Sequence, residues 1–273
     1  MHREVRAGKK VEDDMKSVMR SVISALVVLG VANVEAADWG SIKGKFVVDG
    51  SVGEPAAVNV NKDQETCSNH NLVDETVVVG DDGGIANVVV FIYSRKALDV
   101  HPDYGDAKDA DPVMLDNKGC RFDPHVLAVR AEQTLQIANS DPVGHNTNAA
   151  FVQNPGFNQM ITAGSPVEIV LTKAEPVPAA VACNIHPWMK GYLVVRQDPY
   201  VAISSESGEF EIKDIPVGEH EFVFWHEGKG NMRDLALKDG KTDRRGRAKL
   251  KIVADETLDL GEIKVPAAAL GAK

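Results

Sequence analysis

From Ala182 to Gly191 the chain reads A-C-N-I-H-P-W-M-K-G, which sets a thiol at Cys183, an imidazole at His186 and a thioether at Met189 in three-residue steps. Only three cysteines and eight histidines occur in 273 residues, so the clustering asks for a reason. Two imidazoles and a thiolate in a near-trigonal set, with a distant thioether on the axis, hold the single type 1 copper of electron-transfer centres. The soft axial sulfur favours the cuprous state, and a rigid scaffold keeps one geometry through both oxidation states. A second imidazole is available in N-S-D-P-V-G-H-N, where His145 lies 38 positions before Cys183. Beside it, Asn146 can hydrogen-bond across to the Cys183 loop and tie the two ligand loops together. Pro187 stiffens the loop and removes one backbone donor. Two other readings stay open: a buried structural thiol at Cys183 with a surface histidine at His186, or zinc, to which a thioether is a poor match.

Loops that converge in this way need neighbouring strands to carry them, and the surrounding text supplies strands. S-I-K-G-K-F-V-V-D-G, H-V-L-A-V-R-A-E-Q-T-L-Q-I-A-N and S-P-V-E-I-V-L-T-K alternate apolar and polar residues, the pattern of half-buried strands. Two apolar, β-branched runs around Asp81-Asp82-Gly83-Gly84 suggest a hairpin. Short strands separated by Gly, Pro and Asp point to an all-β chain of sandwiches. No long amphipathic helix is seen after the first 36 residues, and short helical turns can form near residues 95–110 or 228–236. Punctuation at 97–112 and 197–199 divides the chain into an N-terminal β-rich region (38–111) that can contribute strands to the next domain, a domain at 112–197 and a third at 198–266. The acidic stretch 97–112 lacks the carboxylate spacing of a calcium loop and is expected as a solvated loop.

The beginning differs in kind. Lys16 and Arg20 precede an apolar run from Val22 to Val34, followed by small residues at Ala36 and Ala37. That is the three-part form of a secretory signal, so residues 1–36 are expected to be a signal peptide with an N-terminal extension. The mature chain is then exported, to the periplasm or the medium, with no membrane span. Three cysteines in an oxidising compartment leave an odd one. A Cys67–Cys120 disulfide with Cys183 on the metal accounts for all three, while a second copper or regulatory thiol site drawn from Cys67, His70, Cys120 and His125, or two independent free thiols, stays open. His125 is expected at a strand start in a packing or hydrogen-bonding role. In F-W-H-E, Trp225 should pack while His226 and Glu227 pair at the surface.

At the ligand residues the sequence resembles a known family. C-x-x-H-P-W-M-K-G is similar to the ligand loop of amicyanin among the blue copper proteins, the cupredoxins, with H-N upstream at the expected distance. C-R-F-D-P-H-V-L-A-V-R-A-E-Q-T-L-Q-I-A-N-S-D-P-V-G-H-N resembles the strands that enter such a domain, and the resemblance covers about 112–197. It implies a Greek-key β-sandwich holding copper through His145, Cys183, His186 and Met189. Small residues, Ala179 to Ala182, stand before Cys183 where many electron-transfer members carry an aromatic. G-x-F-x-I-x-x-I-P-x-G-x-x-x-F, from Gly208 to Phe222, resembles a carboxypeptidase-regulatory-like sandwich, a folding module without chemistry. The whole arrangement is similar to exported bacterial plastocyanin-like or methylamine-utilisation-related proteins.

Two functions follow as expectations. In the first the chain is a one-electron carrier and not an enzyme, passing electrons through an exposed His186 edge ringed by Pro187 and Trp188. A net charge of −10 would steer a basic partner such as a c-type cytochrome. The same charge argues against nucleic acid. In the second the flanking sandwiches bind or assemble, and copper is structural or stored. H-x-H pairs, C-x-x-C-H, G-x-S-x-G and Gly-rich phosphate loops are all missing, which argues against catalysis.

Overall fold

The computed structural model describes residues 39–271, so the expected signal segment lies outside the described residues. Its strands are, in order, β1 (Trp39–Asp49), β2 (Val89–Tyr93), β3 (Val113–Asn117), β4 (Phe122–Asp123), β5 (Val126–Arg130), β6 (Thr134–Asn139) and β7 (His145–Ala149). There follow β8 (Phe157–Ile161), β9 (Val167–Val170), β10 (Ala179–Ala182), β11 (Lys190–Arg196), β12 (Val201–Ile203), β13 (Glu209–Pro216) and β14 (Gly218–His226). The last are β15 (Gly230–Asn231), β16 (Ala236–Leu237), β17 (Gly240–Lys241), β18 (Arg247–Ile252) and β19 (Thr257–Pro266). Helix is confined to single turns, among them Gln64–Cys67, Pro102–Tyr104 and Ala107–Asp109; none forms at 228–236. The chain is all-β, and among the described residues no helix is long and apolar enough to cross a membrane.

Two sandwiches result. The first stacks a sheet in the order β5-β11-β10-β7-β8 on one in the order β4-β3-β6-β9, all from one contiguous stretch. Its core includes Leu115, Leu135, Ile137, Leu193 and Val195. The second stacks β13-β1-β19 on β12-β2-β14-β15, with β18 also on β14. Its core includes Ile42, Phe46, Ile92, Phe222 and Phe224.

The N-terminal region therefore neither stands alone nor completes the first sandwich, as the domain reading allowed. β1 runs between β13 and β19, and β2 between β12 and β14. Residues 198–266 alone would lack the central strand of both their sheets. The reason lies in the side chains of β2. Strand neighbours point to opposite faces, so Val90 and Ile92 fill the second core while Val89 and Phe91 enter a seam between the sandwiches. β14 does the same with Phe222 and Phe224 against Val223 and Trp225. From the first sandwich, β11 sends Leu193 and Val195 inward and Val194 into the seam. Each such side chain contributes about 1.5–3 kcal/mol of burial. Strands buried on both faces read as unbroken apolar runs, which is why V-V-V-F-I-Y and F-V-F-W do not alternate. The Asp81–Gly84 turn forms, with Gly80 and Gly84 paired through the Gly80 N–H at 2.9 Å, but Val79 meets Ile85 only in an isolated bridge.

Candidate metal centre

Strand register brings the donors to one end of the first sandwich. Ala182, the last residue of β10, lies opposite Lys190 of β11 and Asn148 of β7. Cys183 and Met189 thus leave adjacent strands together, and the Cys183 N–H donates to the Met189 carbonyl at 3.2 Å. The Met189 N–H donates to the His186 carbonyl at 2.9 Å, closing a tight loop with His186 at its tip. A short connection from β6 delivers His145 as the first residue of β7. Gly191 keeps this corner close, since a Cβ there would lie 2.8 Å from the His125 carbonyl oxygen.

The ligating atoms of His145, Cys183 and His186 all lie within 4.8 Å of one another. The two Nδ1 atoms are 2.9 Å apart, and His186 Nδ1 is 3.7 Å from Cys183 Sγ. An ion bonded to nitrogen and sulfur at about 2.0–2.3 Å spans atoms separated by roughly 3–4 Å. Met189, 1% exposed, packs in the same apolar cluster as Cys183.

What the other ring nitrogens do decides the character of the set. His145 Nε2 lies 2.9 Å from Asp141 Oδ2, and His186 Nε2 lies 2.8 Å from Asp63 Oδ2. A carboxylate accepts, so each Nε2 carries the proton. In the neutral rings both Nδ1 atoms then present lone pairs to one another at 2.9 Å, and the Cys183 thiol, 3.7 Å from His186 Nδ1, is the one donor beside them. Buried acceptors left in that state are costly, and both imidazoles are fully buried. A cation shared between the two nitrogens removes the conflict. Burial first, then the neighbouring His186 ring, holds the pKa of His145 below its usual range, with Asp141 opposing both.

Asn146 sits where the linking role requires it. Its Oδ1 accepts from the backbone N–H groups of Asn184 (2.8 Å) and Ile185 (3.3 Å) and lies 3.5 Å from Cys183 Sγ. Pro187 is exposed and Trp188 half-buried, its ring centroid 5.1 Å from that of His186. The expected exposed edge of His186 is absent. The ring is 0% exposed because Asp63, from the segment before β2, covers its Nε2.

Sequence reasoning missed Asp141 although it carries a local signal, standing four residues before His145 on the connection into β7. Asp63 had none, being 123 positions from its partner. Cys67 and Cys120 are joined in a disulfide, and Cys183 is the free thiol. Cys120, Asp141 and His145 also lie within ligand distance of one another, but the bond to Cys67 occupies that sulfur. His226 and Glu227 do not pair at the surface. His226 is buried, and Glu227 instead takes His125 Nε2 at 2.5 Å across the seam. Trp225 packs in the seam as expected. The 97–112 stretch contributes to neither donor group found among the described residues.

Parts of the chain are similar to solved structures. Copper-containing nitrite reductase from Thermus scotoductus SA-01 is 25% identical over 38% of this chain, at a TM-score of 0.29, and the match spans only 25% of the reductase. A purple cupredoxin from Nitrosopumilus maritimus is 22% identical, covering 32% of this chain and 99% of its own, at a TM-score of 0.26. A reduced Cu(I) amicyanin variant is 19% identical, covering 39% and 98%, at a TM-score of 0.29. No family model and no curated protein matches the chain. This chain's own donors are what bear on its chemistry.

Proposed function

We propose that the chain is an exported one-electron carrier with a single type 1 copper held by His145, Cys183, His186 and Met189, similar in this respect to cupredoxins. The observation that carries the proposal is the convergence of two buried Nδ1 atoms, 2.9 Å apart, beside a buried thiol. Two imidazoles, one thiol and a buried thioether form the donor set of an electron-transfer copper. Zinc fits less well, because its usual sets do not include a thioether. Copper, when bound, supplies a one-electron couple. The residues do the rest: Asp141 and Asp63 fix the tautomers, Asn146 joins the two ligand loops, and the apolar end of the sandwich excludes water.

The carrier reading has the chain pass electrons without transforming a substrate. The acidic balance of the sequence suits a basic partner such as a c-type cytochrome. The Cys67–Cys120 disulfide and the leader-like text at 16–37 support an oxidising, exported setting. One observation favours the second reading, a binding or assembly module with structural copper: the second sandwich supplies none of the four donors. Titration with cupric ion tests the choice. One equivalent should produce an intense visible absorption that ascorbate bleaches and air restores. A protein that binds copper but stays colourless ends the carrier reading.

A further inference from the structure

The cover over His186 is built from several linked contacts. Asp63 takes a left-handed backbone conformation (φ 43°, ψ 43°), one that a non-glycine residue adopts only where its surroundings hold it there. Its carbonyl accepts the N–H groups of Thr66 and Cys67 at 3.0 and 2.8 Å, opening the helical turn Gln64–Cys67. Its side chain is thereby turned onto His186. Cys67 is bonded to Cys120, whose N–H donates to Asp141 Oδ2 at 2.8 Å, and the same oxygen lies 2.9 Å from His145 Nε2. Trp188 Nε1 donates to the Cys120 carbonyl at 3.1 Å. One disulfide thus ties together the two carboxylates that meet the two imidazoles. A solvent-facing imidazole edge would need none of this.

We infer that Asp63 is a positioning residue that holds His186 as its Nε2-protonated tautomer and, with the segment 50–75, closes the imidazole edge to direct contact with a redox partner. This rests on the proposed copper centre for its electron-transfer consequence, but not for its tautomer. The carboxylate aims the Nδ1 lone pair at the metal position, as carboxylate–histidine pairs do for bound metals. Closure leaves Trp188, half-buried with its ring centroid 5.1 Å from that of His186, as the aromatic side chain of the ligand loop that reaches solvent, beside exposed Pro187. It lines an open cleft of about 290 Å³ with Pro187, Ala56 and Val58. The expected exit through His186 is thereby replaced by one at Trp188.

Two substitutions separate position from charge. D63N keeps an oxygen that can accept the Nε2 proton, whereas D63A does not. In the metal-free protein, ¹⁵N–¹H correlation should show a His186 Nε2 proton protected from water exchange in the wild type and D63N, and lost in D63A. In the copper-loaded protein, oxidation by hexacyanoferrate(III) at high salt, where charge effects are screened, should be at least tenfold faster for D63A and near wild type for D63N. An unprotected His186 proton in the wild type, or equal oxidation rates in wild type and D63A, overturns the inference. If the wild type takes up no copper, the proposed function fails, and the metal-free spectra still decide the role of Asp63.

Discussion

The two sandwiches are built from the same kind of strand, yet they treat buried polar groups differently. In the second, Ser204 Oγ donates to the Ile85 carbonyl and accepts from the Val88 N–H, at 2.6 and 2.9 Å. Thr242 Oγ1 donates to the Met232 carbonyl and accepts from the Leu235 N–H, again at 2.6 and 2.9 Å. Each hydroxyl is used up by neighbouring backbone, and its role ends there. In the first, two buried imidazoles satisfy one nitrogen each and leave the other aimed at a common point with a thiol. Polar groups used up by neighbouring backbone hold a fold together, and a lone unpaired atom such as His226 Nε2 in the second sandwich marks nothing; convergence of two imidazoles with a thiol marks a site. A sandwich specifies neither outcome, and the loop ends do.

The contrast is broken most completely by Cys183→Ser. It should abolish the visible absorption of the copper-loaded protein while far-ultraviolet circular dichroism stays unchanged, since only one sulfur is replaced. Phe46→Ala strikes the other sandwich. Phe46 is fully buried in the second core, so the change should cost about 3–5 kcal/mol in denaturant unfolding. The folded variant should keep the copper spectrum of the wild type. A lost spectrum would mean the first sandwich cannot hold its loops without the second.

A smaller effect concerns pH. Burial, then the neighbouring His125, lowers the pKa of His226 to about 4, against an ordinary 6.5. Between those values the unfolded chain takes up a proton that the folded chain refuses. Stability should therefore fall as pH drops from 6.5 to about 4, by about 3 kcal/mol in all, with no contribution above 6.5. His226→Asn should remove that part of the loss, read as the change in urea unfolding free energy between pH 7 and pH 4.5. Smallest is Asp141→Asn, which weakens the acceptor on His145 Nε2 and on the Gly119 and Cys120 N–H groups. Metal affinity should fall about 10–100-fold, measured by competition with a chelator; an unchanged affinity would leave Asp141 a loop-holding residue only.

How much of this was legible in the sequence depended on distance along the chain. Cys183, His186 and Met189 share one loop, and the strands on either side set their spacing, so residue type and interval sufficed. His145 and Asn146 were legible because His145 lies only 38 positions before Cys183, on the neighbouring loop of the same sandwich end. The all-β class followed from alternation. Domain limits did not, because alternation in β1 and an apolar run in β2 state which faces are buried but not which strands lie alongside. β1 pairs with Thr257–Pro266, more than 200 positions away. Asp63 was hidden for the same reason. Nothing local marks a carboxylate that a disulfide carries onto a distant imidazole, and without it the His186 edge reads as exposed.

The central claim is that His145, Cys183, His186 and Met189 share one copper ion. Electron paramagnetic resonance of the cupric protein tests it most directly. A thiolate-bound copper of this kind should give an axial signal with the narrow hyperfine splitting that strong delocalisation onto sulfur produces. A wide splitting, as for copper held by nitrogen and oxygen alone, would contradict the account.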